Sequence, residues 1–226
     1  MKILFCNIAW MKYYKGNNDG KDMPSGGGSY VEQTHQAHEE YNFQAEELSI
    51  DGLIEPGKYC LGFVETKSTN GVSSNQLKIE SIVGCEDCKK EESVEDVIVV
   101  FCAKYPNSEV HETLVVGWYE HASVYRNYQF IDFLDENGEV GYTQAYNILA
   151  KAEDCVLLPT GIRRRGNIWN VPRKKRGISY GFGQANVWFA NEFGNDRLDE
   201  YLSRLVEQIK NYDGENWIDS HPCNSW

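Results

Sequence analysis

The sequence predicts an α+β protein built on a small mixed β-barrel, with flanking helices and one amphipathic helix near the C-terminus. Two observations support this fold class. Runs of β-branched and aromatic residues indicate five or six strands that mostly follow one another directly. The βαβαβ alternation that is typical of a parallel, doubly wound sheet is absent. A chain of 226 residues with 41% hydrophobic content can bury a sizeable core.

The first half of the chain is dominated by strand patterns. The opening run "KILFCNIAW" predicts a strand that ends at Trp10. Residues 16–29 hold five glycines and one proline, which favours a mobile surface loop and a candidate lid, and residues 30–43 favour a short helix. Further strands are predicted at 59–66, 96–104, 112–120 and 123–130, with the second and third forming a hairpin. The polar span 76–96 is expected on the rim of the barrel.

The second half alternates between helix and strand patterns. Residues 143–152 predict a short helix, 154–159 a strand, and 180–190 a stretch that closes in a short aromatic strand. Residues 196–212 carry one apolar stripe with helical spacing, which predicts a helix that Asn195 or Asp196 begins and Gly214 ends. The stripe consists of Leu198, Tyr201, Leu202, Leu205, Val206 and Ile209. We therefore expect one recognition domain over 1–192, followed by a helix and tail over 193–226 that could lead to a further domain.

Composition limits the classes of protein that this chain can belong to. It contains no run of eighteen apolar residues, and its N-terminus lacks a signal-peptide pattern, so we expect a cytoplasmic protein that does not enter a membrane. Seven cysteines are scattered along the chain, and their spacing favours reduced, packed thiols over a disulfide framework.

The distribution of charge is the first indication of function. The formal net charge is −12, yet the segment from Cys155 to Asn191 contains no Asp or Glu. That segment holds seven cations within fourteen residues: Arg163, Arg164, Arg165, Arg173, Lys174, Lys175 and Arg176. Like charges packed this closely repel one another, which favours an anionic partner such as a nucleic-acid backbone. The alternative is a solvated loop that docks on the acidic surface of the protein itself.

Aromatic residues at predicted strand ends are the second indication. If these ends meet at one mouth of the barrel, the rings could form the walls of a pocket for a stacked or flipped base. The candidates are Trp10, Trp118, Tyr119, Tyr125 and Trp188. Gln184 and Asn186 carry the paired donors and acceptors needed to read a base edge. The alternative is that the rings are core residues and that the two amides bond to the local backbone.

Several of these segments together resemble a known superfold. The succession "ILFCNIAW", "GGGSY", "LVVGWYEHASVYR", "LLP", an Arg-rich "VPR" segment and "GQANVW" is similar to N-terminal modules of HNH-type, modification-dependent restriction proteins. More broadly, it resembles the PUA-like superfold, which includes the EVE, YTH and SRA readers. The resemblance covers roughly residues 1–192.

The resemblance implies a non-catalytic DNA-binding module that recognises a modified base, expected to be a cytosine, and acts as the sensor of a bacterial restriction or defence protein. By position, the base pocket would involve Trp10, Trp118, Tyr119 and Trp188. The phosphate surface would consist of 163–165 and 173–176. No cofactor is expected.

Two other functions stay open at this point. Asp51, Glu65 and Lys67 mimic the Asp…Glu-x-Lys arrangement of Mg²⁺-dependent nucleases. An RNA or small-molecule sensor in the same barrel is the other alternative. Cys85 and Cys88 have the spacing of half a zinc site, without a second pair nearby in sequence. His35 and His38 could share a helix face, although a solvated helical turn explains them more simply.

Overall fold

The computed structural model describes residues 1–16, 20, 22–26, 38–50, 54–66, 68–69, 73–74, 76–106 and 112–220. Ten strands lie in this part of the chain: β1 Ile3–Ile8, β2 Ala45–Ile50, β3 Ile54–Gly62, β4 Ser68–Thr69, β5 Ser73–Ser74, β6 Ser93–Lys104, β7 Thr113–Leu134, β8 Val140–Lys151, β9 Cys155–Leu157 and β10 Val187–Trp188. Three α-helices follow: α1 Thr160–Arg163, α2 Asp196–Lys210 and α3 Trp217–Ser220. Short 3₁₀ helices lie at His38–Tyr41, Ile79–Ser81 and Ala152–Asp154.

One mixed sheet organises the molecule. Its strand order is β10-β1-β6-β7-β8-β3-β2, and β9 also pairs with β7. Strands β1 and β6 run parallel, whereas their neighbours pair in antiparallel fashion. The sheet-rich α+β class is confirmed, but the sheet is not closed into a barrel, since its two outermost strands do not pair with each other in the described part of the chain. Strand β10 has only two residues, so it offers few backbone groups for closure.

The central strand is longer than the sequence patterns indicate. The strands predicted at 112–120 and 123–130 are one strand of 22 residues, β7. Register shifts in its pairing with β6 and β8 bend it, and His121 takes a positive φ of 50°. The bend lets one strand pair with β6 on one side and with both β8 and β9 on the other.

The helix predicted at 143–152 is wrong, because these residues form strand β8. Ile148 and Ala150 pack into one apolar cluster, whereas Tyr146 and Leu149 pack into another. Both faces of the strand are therefore buried. A strand that is buried on both faces lacks the alternation of polar and apolar residues that indicates a strand, so periodicity alone does not distinguish it from a buried helix.

Two apolar clusters lie on opposite faces of the sheet. The inner core centres on Phe43, Phe101 and Tyr119, whose rings are 4.7 to 5.5 Å apart in edge-on contacts. The outer core lies between the sheet and helix α2, and it includes Phe5 and Trp118. Strand β1 contributes alternate residues to the two cores, so neither of its faces is exposed.

Helix α2 confirms the predicted amphipathic helix. Asn195 begins it by accepting a hydrogen bond from the Leu198 N–H, and the buried side of the helix carries five of the six predicted stripe residues. The helix ends at Lys210, earlier than the predicted end at Gly214. Its buried residues belong to the same outer core as residues of β1 and β6. The predicted boundary between a recognition domain and a C-terminal helix and tail at residue 192 stays a prediction.

Gly117 explains how β7 can pair so closely with β9. A Cβ atom at this position would lie 2.3 Å from the Val156 carbonyl oxygen and 2.6 Å from the Phe43 ring. Only glycine leaves room for both neighbours. The next two residues, Trp118 and Tyr119, point to opposite faces of the sheet, as successive residues of a strand do.

Three further predictions concern the rim of the barrel, the lid and the helix at 30–43. The span predicted to lie on the rim, 76–96, inserts Leu77, Ile79 and Ile82 into the inner core, because its apolar residues recur every two or three positions within a polar segment. Half of the predicted lid (17–19, 21 and 27–29) and residues 30–37 of the predicted helix lie outside the described residues. Within the described ranges, no helix has the length and apolar character needed to cross a membrane.

Candidate nucleic-acid interface

The basic loop, residues 163–176, reaches one defined end of the sheet. Because β1 and β6 are parallel, their carboxyl ends share an edge, where Trp10 and Tyr105 follow the two strands. Arg173 of the basic loop reaches the same edge. Its guanidinium donates hydrogen bonds to the Asn7 Oδ1 atom at 2.9 Å and to the Thr113 Oγ1 atom at 2.5 Å.

Arg163 does not belong to the phosphate surface that the sequence predicts. Its side chain is fully buried, and its guanidinium donates to the carbonyl oxygens of Leu158, Met11 and Lys12 at 2.7, 2.7 and 2.8 Å. Burial lowers the pKa of Arg163 to about 10, which leaves it charged at neutral pH. With its donors committed to backbone carbonyls inside the fold, Arg163 is a structural residue.

Further polar contacts order the segment that contains Met11 and Lys12, to which Arg163 is hydrogen-bonded. The Asp22 carboxylate accepts hydrogen bonds from the backbone N–H groups of Lys12, Tyr13 and Tyr14. The Tyr14 hydroxyl donates to the Ala9 carbonyl oxygen at 2.7 Å, and its pKa is raised by burial. These bonds fix the backbone on both sides of Trp10. The ring of Trp10 is therefore placed by the fold, half-buried, with the Arg163 guanidinium 5.2 Å from its centroid.

Five of the seven predicted phosphate-binding cations are exposed. They are Arg164, Arg165, Lys174, Lys175 and Arg176. Lys174 forms an ion pair with Glu192 at 2.8 Å, whereas Arg173 is half-buried, with its pKa lowered by burial. Among the residues that the structure describes, no carboxylate lies within ion-pair distance of the other four exposed cations. Of these seven cations, Lys174 is the one that forms an ion pair with an acidic side chain of the described protein, as the alternative interpretation of the charge cluster predicts.

An aromatic pair adjoins one of these cations, Arg164. The rings of Trp10 and Tyr105 meet edge to face at 5.1 Å, and the Arg164 guanidinium lies 4.5 Å from the Tyr105 centroid. Sequence reasoning missed Tyr105, although it follows β6 as Trp10 follows β1. We use the name basic aromatic edge for the six residues Trp10, Tyr105, Arg164, Arg165, Lys175 and Arg176.

Three of the predicted pocket rings are core residues. Trp118 and Tyr119 have no exposed surface, and Trp188 is 5% exposed. Trp118 stacks on Trp169 at 5.4 Å, and Trp188 stacks on Phe5 at 4.5 Å. They cannot form the walls of an open pocket without disruption of the core. The sequence pattern could not show this, because a tryptophan at a strand end suits a core as well as a binding site.

The remaining pocket candidates lie apart from one another. Tyr125 is half-buried in the bulge of β7 and meets Tyr146 edge-on at 5.9 Å; burial raises its pKa to about 12. Asn186 is at the β1 edge, where its carbonyl oxygen accepts from the Asn7 N–H at 2.7 Å. Its side-chain amide donates to the Glu65 carboxylate at 3.2 Å. Gln184 is exposed, two residues before Asn186.

The nuclease alternative cannot be assembled from the described residues. Glu65 is exposed, but Asp51 and Lys67 lie outside the described ranges, and so do His35 and the side chain of His38. In the part of the chain that the structure covers, no three His, Cys, Asp or Glu side chains are grouped so that they could hold a metal ion. Searches against protein-family models, curated proteins and solved structures found no match to this chain.

Proposed function

We propose that this chain is a non-catalytic nucleic-acid recognition module that binds a phosphate backbone along the basic aromatic edge. The observation that carries the proposal is the set of four exposed cations without carboxylate partners in the described structure, on a chain with a net charge of −12. Mutual repulsion among these cations is relieved when phosphates neutralise them, and counterion release adds to the affinity.

The aromatic pair supplies a second kind of contact. Trp10 and Tyr105 are both half-buried and in contact with each other, and Arg164 lies against Tyr105, so a base next to a phosphate bound at Arg164 can reach a ring. Stacking of one base on an aromatic side chain contributes about 1–3 kcal/mol and tolerates different bases. Phosphate contacts therefore give position, and the rings give a preference for unpaired or extruded bases.

We further propose DNA with a modified base as the ligand and a PUA-like module as its reader. Support comes from the sheet-rich mixed fold and from the position of Trp10 directly after the first strand. The burial of Trp118, Tyr119 and Trp188 restricts the open ring surface of this candidate interface to Trp10 and Tyr105. The sensor role in a restriction or defence protein is a proposal that rests on sequence resemblance.

Charge reversal tests the interface. The variant Arg164→Glu/Arg165→Glu removes two of the four exposed cations and adds two repulsive charges, so it should abolish binding of short fluorescein-labelled DNA measured by anisotropy. The matched control is Lys89→Glu/Lys90→Glu, an adjacent exposed pair near the opposite end of β6. The control should bind as the wild type does. Equal loss in both variants would show a general charge effect and would contradict this interface.

A ligand panel tests the identity of the partner. Affinities for single-stranded DNA, unmodified and cytosine-modified duplexes, RNA and free nucleosides should rank modified DNA first. A preference for RNA or free nucleosides would contradict modified DNA as the ligand, but it would still agree with binding at the basic aromatic edge. Mg²⁺-dependent cleavage of plasmid DNA that is lost in Glu65→Ala would favour the nuclease alternative.

A further inference from the structure

The turn between Ile82 and Cys88 places two cysteines opposite each other. The Cys88 N–H donates to the Cys85 carbonyl oxygen at 2.9 Å, which defines a tight turn of four residues. The Cα atoms at the ends of such a turn lie within about 7 Å. A disulfide joins Cα atoms that are roughly 4.4 to 6.8 Å apart, so the backbone already has a suitable spacing.

The two side chains also influence each other. Burial, and to a smaller extent the neighbouring Cys88 thiol, raises the pKa of Cys85. Cys85 is 1% exposed and belongs to the inner core, whereas Cys88 is half-buried at its margin. The other four cysteines in the described structure, Cys6, Cys60, Cys102 and Cys155, have no exposed surface. Among these six, Cys88 is therefore the thiol that a dissolved reagent reaches first.

Arg126 holds the turn in this shape. Its guanidinium donates to the carbonyl oxygens of Cys88 and Glu91 at 2.8 and 2.9 Å, and it forms an ion pair with Glu80 at 2.7 Å. The turn is thus fixed from outside by contacts that do not involve sulfur.

We propose that Cys85 and Cys88 form a reversible intramolecular disulfide by exchange with a low-molecular-weight disulfide such as glutathione disulfide. The Cys88 thiolate attacks one sulfur of the oxidant, whose S–S bond breaks and releases one glutathione thiolate. The Cys85 thiolate then attacks the Cys88 sulfur of the mixed disulfide and releases the second glutathione. The protein loses two protons and two electrons: the electrons reduce glutathione disulfide, and the protons pass to the two departing thiolates.

Intact-mass analysis with peptide mapping tests this in a Cys223→Ser background, since Cys223 lies outside the described residues. After incubation with glutathione disulfide, the protein should lose two hydrogens and yield a Cys85–Cys88 linked peptide without a glutathione adduct. At a fixed concentration of glutathione disulfide, the ratio of oxidised to reduced protein should fall with the square of the glutathione concentration, because two glutathione molecules are released.

Single variants separate the two steps. Cys85→Ser should stop at a glutathione adduct on Cys88, and Cys88→Ser should stay unmodified because Cys85 is buried. Cys155→Ser should behave as the background does. A background protein that stays fully reduced, that accumulates a stable glutathione adduct, or that links other cysteines would overturn the proposal.

Discussion

Replacement of Arg163 by methionine should destabilise the fold without removing the nucleic-acid surface. The variant keeps a long unbranched side chain but leaves the carbonyl oxygens of Leu158, Met11 and Lys12 without their donor. Hydrogen bonds to a charged group contribute about 1.5–3 kcal/mol each. Three bonds at the lower end give about 4.5 kcal/mol, which agrees with the 3–5 kcal/mol loss that is typical when one partner of a buried charged network is removed.

The matched comparison is Arg165→Met, two residues along the same run. Arg165 is exposed, so its replacement should change the free energy of unfolding by no more than about 0.5 kcal/mol while weakening the binding of DNA. Urea unfolding followed by tryptophan fluorescence measures both variants, with an unchanged m-value as the sign that only stability has changed. If Arg163→Met is too unstable to purify, Arg163→Lys keeps the charge, loses the planar fork and should show a smaller loss.

The reasoning is refuted if Arg163→Met unfolds within 1 kcal/mol of the wild type, on the scale where a typical surface substitution costs about 0.5 kcal/mol. It is also refuted if Arg165→Met is the more destabilising of the two. Either result would mean that the buried guanidinium does not hold the segment that carries Trp10.

Three further predictions follow from the packing and the charges. Gly117→Ala should lower the melting temperature, since a Cβ atom 2.3 Å from a carbonyl oxygen overpacks the core at a cost of about 1–3 kcal/mol, and an unchanged melting temperature would contradict the close β7–β9 pairing. Trp188→Ala should lower the free energy of unfolding by about 3–5 kcal/mol, whereas Trp10→Ala should mainly weaken the binding of DNA. Unfolding and anisotropy measurements on both variants test this. If Trp10→Ala is the more destabilising variant and Trp188→Ala the weaker binder, the roles given to the two rings are wrong. The His121 imidazole, hydrogen-bonded to the Asp96 carboxylate at 2.8 Å, should titrate by NMR above its ordinary pKa and return towards it in Asp96→Asn; the small stabilisation from this exposed pair is present in acid and is lost as the pH rises through the folded-state pKa.

The elements with the strongest local patterns were predictable from the sequence. Helix α2 follows from one apolar stripe with helical spacing and from an asparagine that begins it. Strands β1 and β6 follow from β-branched and aromatic runs. The residue pattern within each of these elements indicates which of its residues are buried, so no knowledge of its neighbours in the fold was needed.

The prediction failed where burial depends on distant parts of the chain. Strand β8 is buried on both faces because it lies between two clusters. Its sequence therefore lacks the alternation of polar and apolar residues that would distinguish it from a buried helix. Arg163 and its neighbour Arg164 are identical in sequence terms. The difference depends on the path of residues 9–16: the first arginine is buried against Met11 and Lys12, and the second is exposed beside Tyr105.

The candidate interface shows the same division. The cation cluster and Trp10 were visible in the sequence, because charge and residue type do not depend on the fold. Tyr105 was not, because its role depends on the parallel pairing of β1 with β6, which brings two strand ends to one edge. The burial of Trp118 and Trp188 likewise follows from helix α2 and Trp169, which cover the outer face of the sheet.

The salt dependence of DNA binding tests the proposed interface most directly. If the four exposed cations of the basic aromatic edge each neutralise one phosphate of a duplex, the slope of log K against log salt should be about −3.6, so affinity should fall about 150-fold between 50 and 200 mM salt. Arg164→Gln/Arg165→Gln should halve that slope to about −1.8, while Lys89→Gln/Lys90→Gln should leave it unchanged. A slope that is the same in all three proteins would contradict the assignment of the phosphate surface to this edge.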